Sequence, residues 1–253
     1  MTTAAEVPSA PASDYAAFAN GFEFRFVRPQ DPLTRWWLRV AAWYRRFGGS
    51  FDLLNTRFPK GTKATRAALK PLCRFPRMST PAIGALINRG VAAMAPGEAY
   101  VNVGVWNGFT FLSGMVGNGD RTCVGVDNFS QFGGPKDAFL ERFARFKSAA
   151  HRFHDMDYRD YFATVHREPI GFYLYDGEHS YQNQLEGLRV AEPHFGPDCV
   201  VMVDDTNDEE PRQATLDFVR SSRNQYETVL DVTTCQNQHP TWWNGVLLLR
   251  RVG

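Results

Sequence analysis

From residue 79 to its end the chain alternates between strand-like and helix-like segments. That alternation leaves few architectures open, because parallel strands need crossover helices and crossover helices need a sheet to cover. "AYVNVGV", "TCVGVD", "HRFHDM", "IGFYLYDG" and "DCVVMVDD" read as strands. Between them, "FTFLSGMVG", "KDAFLERFARFKSAA" and "SYQNQLEGLRVAEPHF" read as helices, and "PRQATLDFVRSSR" follows the fifth strand. Phe139, Phe143 and Phe146 fall along one side of the second of these helices. A further helix, "STPAIGALINRGVAAM", precedes the first strand, with Ser79 or Thr80 as its cap and Pro81 at an early helical position. The last two strands, "YETVLDVTT" and "NGVLLLRRV", have no helix between them and are expected to pair antiparallel at one edge. The prediction is an α/β fold: a doubly wound, mostly parallel seven-stranded sheet over residues 78–253 with an antiparallel C-terminal edge.

The first 77 residues behave differently. Residues 1–21, rich in Ala, Pro, Ser and Thr, read as a disordered lead-in. Residues 22–77 form a basic, aromatic, helical extension. Of the 28 Lys and Arg, 13 lie in residues 1–77, against 5 of the 27 Asp and Glu, so a basic arm joins an acidic body. On a helical wheel Trp36, Trp37, Val40, Trp43, Tyr44 and Phe47 share one side, and Arg35, Arg39 and Arg46 cluster on the other. Three roles stay open for residues 35–47: packing on the body or a partner subunit, peripheral contact with an anionic membrane, or a lid. A homo-oligomer is expected from the aromatic arm. The four cysteines, Cys73, Cys123, Cys199 and Cys235, show no zinc or disulfide spacing, and a cytoplasmic, reducing setting is expected.

Two constellations carry chemistry. The first strand ends in "VNVGVWNG", where Gly104 and Gly108 bracket a tight turn into a helix. The second strand ends in Asp127, placed to accept ribose hydroxyls. The turn lacks the three-glycine pyrophosphate pattern, so a nucleoside without phosphates fits better, S-adenosylmethionine foremost. With "YVNVGVWNG", "CVGVD", "YLYDGEHSY" and "CVVMVDD" in this order, the sequence resembles the class I S-adenosylmethionine-dependent methyltransferases. It is most similar to small-molecule and sugar O-methyltransferases and to cephalosporin-hydroxylase-like proteins, and the fold so implied is Rossmann-like. The resemblance places Gly104 and Gly108 at the methionine part of the cofactor and Asp127 at the ribose. It places Asp155 near the adenine, and Ser79 and Thr80 near the carboxylate. Asn102 stands where the family usually carries an acid, and its amide can still hydrogen-bond the cofactor.

The second constellation is acidic. Asp176 ends the fourth strand, and Asp204 and Asp205 end the fifth. Neighbouring parallel strands finish at the same edge, so these carboxylates converge, and carboxylates that close repel unless a cation sits among them. Oxygen ligands without cysteine favour Mg²⁺, with Mn²⁺ or Ca²⁺ as alternatives. The resemblance maps the same three residues onto the metal site of metal-dependent O-methyltransferases. His179 and Asp176 are the candidate bases for an acceptor hydroxyl. His239 and "TWWNG" are open to two roles, lining an acceptor pocket or packing. The expected activity is divalent-metal-assisted O-methylation of a small polyhydroxylated acceptor, a sugar or natural product. The alternatives are a non-catalytic cofactor-binding partner subunit and a cephalosporin-hydroxylase-like protein. No nucleic-acid module is evident, and nucleic acid is not the expected partner.

Overall fold

The computed structural model describes residues 12–32, 34–46 and 50–252. Seven strands form one sheet: β1 (Ala99–Val103), β2 (Thr122–Asp127), β3 (His151–Asp155), β4 (Ile170–Tyr175), β5 (Phe195–Asp204), β6 (Gln225–Val232) and β7 (Val246–Val252). Their spatial order is β3-β2-β1-β4-β5-β7-β6. The first five run parallel, and β7 lies antiparallel between β5 and β6. This is the doubly wound, mostly parallel sheet with an antiparallel C-terminal edge expected above. Chain order reverses between β1 and β4, and such a switch point opens a crevice at the carboxyl ends of the strands.

Alternation along each strand builds two cores. Tyr100, Phe172, Leu174 and Met202 face one layer of helices, while Val101, Val103, Tyr173, Tyr175 and Val201 face the other. Both faces are covered, so the central strands are buried at almost every position. Phe139 and Phe143 bury as their spacing predicts and stack 5.9 Å apart. The helix Pro81–Ala93 is capped by Thr80, whose hydroxyl accepts from the Ile83 amide at 3.3 Å.

The N-terminal part departs from expectation at its start. The lead-in expected to be disordered through residue 21 is ordered from Ala12, where α1 (Ala12–Ala19) packs on the body. Tyr15 is buried against Phe172, and its hydroxyl donates to the Leu86 carbonyl at 3.1 Å. An Ala-rich stretch holding aromatic residues at 15, 18 and 22 can bury enough apolar surface to offset its ordering entropy. Residues 1–11 lie outside the described residues. The extension then supplies α2 (Arg35–Arg46), α3 (Phe51–Asn55) and α4 (Lys63–Leu69). Phe47, placed with the apolar face of α2 on the wheel, also lies outside the described residues. Buried Asn55 fastens the extension: its Oδ1 accepts from the Val27 amide at 2.8 Å and its Nδ2 donates to the Val27 carbonyl at 2.9 Å.

Candidate functional site

The carboxyl ends of β1 and β4 meet through a glycine. Gly104 has φ +81, and a Cβ there would lie 1.9 Å from the Asp176 carbonyl oxygen. The Asp176 amide donates to the Val103 carbonyl at 2.8 Å, which ties the two strand ends together. Gly104→Ala is expected to cost about 2–4 kcal/mol, from a left-handed backbone and a clash with backbone atoms that cannot move aside. Denaturant unfolding measures it; wild-type stability would mean that the strand ends do not approach this closely.

Asp176, His179, Asp204 and Asp205 gather beside this junction. A regular strand would send Asp204 and Asp205 to opposite faces. Asp205 instead adopts φ +53, a left-handed conformation that aspartate tolerates. Both carboxylates thereby face His179, whose Nε2 lies 4.0 Å from Asp204 Oδ1 and 3.5 Å from Asp205 Oδ2. Asp176 Oδ1 is 3.8 Å from the same nitrogen. These are ion-pair separations, longer than hydrogen bonds. Thr110 Oγ1 donates to the other oxygen of Asp176 at 3.4 Å.

The electrostatics follow from burial. Asp204 is 3% exposed, and burial, then the neighbouring charge of Asp176, hold its carboxyl well above the usual range. Burial and the charge of Asp204 push Asp205 up to about 7, while His179 and Asn244 pull the other way. Asp176 is raised by burial against the pull of His179. For His179 burial favours the neutral ring, but Asp176, Asp204 and Asp205 outweigh it and hold the imidazolium up to about 10. Asp204 Oδ1, Asp205 Oδ1 and His179 Nδ1 are buried and make no hydrogen bond among the described residues. Ligand atoms of Asp176, His179 and Asp204 all lie within 4.8 Å of one another, close enough to surround one cation.

A cleft runs from this cluster along the ends of β1 and β2. Asp176 lines it together with Gly104, Trp106, Asp127, Phe129 and Met156. Asp176 therefore belongs to both the cleft and the acidic cluster.

Residues 101–206 match a family model described as a methyltransferase domain. No curated protein matches the chain by sequence. Among solved structures, a methyltransferase of Podospora anserina bound to S-adenosylhomocysteine superposes with a TM-score of 0.57 at 12% identity, covering 90% of this chain and 100% of that one. The O-methyltransferase TomG of Streptomyces achromogenes, involved in tomaymycin synthesis and solved with S-adenosylmethionine, gives 0.53 at 14% identity, covering 85% and 96%. An O-methyltransferase of Bacillus cereus with S-adenosylhomocysteine gives 0.51 at 13% identity, covering 76% and 92%. At these identities the likeness is one of fold.

In and around the matched region the expected cofactor residues divide. Gly104 and Asp127 line the cleft. Asp127 is also a brace: its Oδ2 accepts from the Val105 and Trp106 amides at 2.8 and 2.9 Å, and its Oδ1 from Phe129 at 2.7 Å. A carboxylate has about four lone-pair sites, so room remains for one ribose hydroxyl but not for two.

Five expected cofactor residues lie outside the cleft lining, and most are already engaged. Asp155 is exposed, pairs with Lys136 and does not line the cleft; the chain bends past β3, so Met156 and Asp157 line it instead. Asn102 is fully buried and spends its amide on the Val103 and Gly104 carbonyls and the Tyr100 hydroxyl, which leaves it shaping the turn. Gly108 has φ +93 and lies against Phe139, away from the cleft. Thr80 donates to the Thr241 carbonyl while capping its helix, so its only hydroxyl hydrogen is engaged. Ser79 is buried with its hydroxyl unpaired among the described residues, outside the cleft lining.

The "TWWNG" segment resolves toward packing. Trp242 is buried against Phe22, and His239 Nδ1 accepts from the Thr241 and Trp242 amides at 3.1 Å. Sequence reasoning passed over Thr110, Asn244, Trp106 and Met156. Each lies inside a quoted segment, and only the tertiary fold brings it to the site.

Proposed function

We propose that this protein is a divalent-metal-assisted O-methyltransferase, carrying a methyl group from S-adenosylmethionine to a hydroxyl of a small polyhydroxylated acceptor. One observation carries the reading: buried, unpaired carboxylate and imidazole atoms converge where the cofactor cleft ends. Carboxylates pushed toward their neutral forms by mutual repulsion suit a dication, and an oxygen-rich set suits Mg²⁺ or Mn²⁺. Asp176, Asp204 and Asp205 would hold the ion, with His179 within reach. The fold's solved neighbours crystallised with S-adenosylmethionine or its demethylated product support the choice of methyl donor.

The cofactor supplies an activated methyl on a sulfonium centre, and the ion supplies Lewis acidity that lowers a bound hydroxyl's pKa. The chain's residues orient and deprotonate. Asp176 borders both cleft and cluster, so an acceptor hydroxyl held at the cluster would face a methyl donor seated in the cleft. His179 takes the hydroxyl proton. With bare carboxylates around it, the ring stays protonated up to about 10 and cannot act as a base near neutrality. Neutralising those carboxylates frees it to accept a proton.

Calorimetry with S-adenosylhomocysteine should show binding with or without Mg²⁺. Transfer of labelled methyl from S-adenosylmethionine to a panel of methyl glycosides should require the ion and stop in EDTA. Full transfer in chelator would remove the metal from the reading; no binding of S-adenosylhomocysteine would remove the methyltransferase.

A further inference from the structure

The most distinctive face of the helix α2 is largely exposed. Trp37 turns inward, 5.5 Å from the Phe26 ring and 5.6 Å from Phe51. Trp36 and Trp43, seven residues apart and so on one line of the helix, are each 60% exposed. Arg35, Arg39 and Arg46 flank that line, all exposed, and the helix contains no acidic residue. An indole held in water is costly, and two beside three guanidinium groups make a surface that is both apolar and cationic.

We propose that α2 seats the protein on an anionic lipid surface. The charge layout favours lipid: exposed Lys63 and Arg66 of α4, and Lys70 just after it, add to the same basic arm, while residues 78–253 are net acidic. Tryptophan at the headgroup level with arginine beside it is how a helix lies in a bilayer interface without crossing it. No helix among the described residues is long and apolar enough to cross. A chain of contacts runs from α2 to the glycine turn. Phe51, which stacks on Trp37, opens α3; Asp52 of α3 pairs with Arg77 at 2.5 Å; and the Arg77 guanidinium lies 5.6 Å over Phe109, beside the glycine turn. On the methyl-transfer reading, a seat on α2 would suit an acceptor whose hydroxyls sit on a lipid anchor.

Vesicle sedimentation tests this without reference to turnover, so it succeeds or fails apart from the methyl-transfer reading. The full chain should sediment with vesicles containing about 30 mol % phosphatidylglycerol, not with pure phosphatidylcholine, and should release in about 0.5 M NaCl. The triple variant R35E/R39E/R46E and the double variant W36A/W43A should each lower the partition coefficient at least tenfold. Both change exposed side chains, and an unchanged melting temperature checks that the fold persists. Failure of the wild type to sediment with anionic vesicles at low salt would overturn the proposal. So would a dimer in size-exclusion chromatography that either variant dissociates while vesicle binding is unaffected, since the face would then belong to a second copy.

Discussion

Asp204→Asn is expected to lower methyl transfer about a thousandfold while making the ion-free protein more stable. The substitution keeps shape and removes one charge. Asp204 is nearly fully buried at the end of β5, facing Asp176 and Asp205, and its carboxyl is held well above its ordinary range by burial and by Asp176. For a carboxyl raised this way, the fold binds protons that the unfolded chain has released. Its stabilising contribution is therefore present below about pH 4 and lost as pH rises. Near neutrality the residue costs stability, and a neutral amide relieves that cost. Mg²⁺ should raise the wild-type melting temperature, more at pH 8 than at pH 6, because binding must displace protons. The variant should melt higher than wild type without the ion and gain nothing from it. A variant that transfers methyl at the wild-type rate would remove Asp204 from the ion site.

His179→Ala is expected to cost between about a hundredfold and ten-thousandfold in kcat, the range for a general base. The structure leaves a sharp choice, since the ring nitrogen lies near all three carboxylates and groups with Asp176 and Asp204 as a possible ligand. A base role predicts that the variant keeps the Mg²⁺-induced rise in melting temperature and loses the acidic limb of the pH–rate profile. Loss of the thermal response would make His179 a ligand and send the proton to Asp176. The ion-free protein gives an independent sign. An imidazole held up to about 10, above its ordinary value near 6.5, contributes stability that is full below about pH 6.5 and gone as pH rises through 10. His179→Ala should therefore destabilise the ion-free protein most at pH 6 and least at pH 10.

Much of this was legible in the residues. The sheet was readable because burial on both faces turns a parallel strand into an apolar run, as in "FYLY" and "CVVMV". The strand-end acids were readable because parallel neighbours finish at one edge, and β4 and β5 do pair, Tyr175 opposite Val203. Order in α1 was not readable, because an Ala-rich composition also suits a free lead-in; what orders it is burial of Tyr15 against Phe172, with its hydroxyl donating to the Leu86 carbonyl. The pairing of Asp155 with Lys136 and of Asn102 with the Gly104 carbonyl was hidden for a related reason: a side chain's position along the chain does not say which partner has already taken it.

By itself, then, the sequence determined the layering of helix and strand and the edge where the acids collect, since both follow from periodicity and chain direction. Only the tertiary structure decided that consecutive residues 204 and 205 face the same imidazole, through the left-handed backbone at Asp205. It also decided which polar atoms are consumed by the scaffold and which stay unpaired. Those outcomes depend on contacts between segments far apart in the chain, and local pattern carries no record of them.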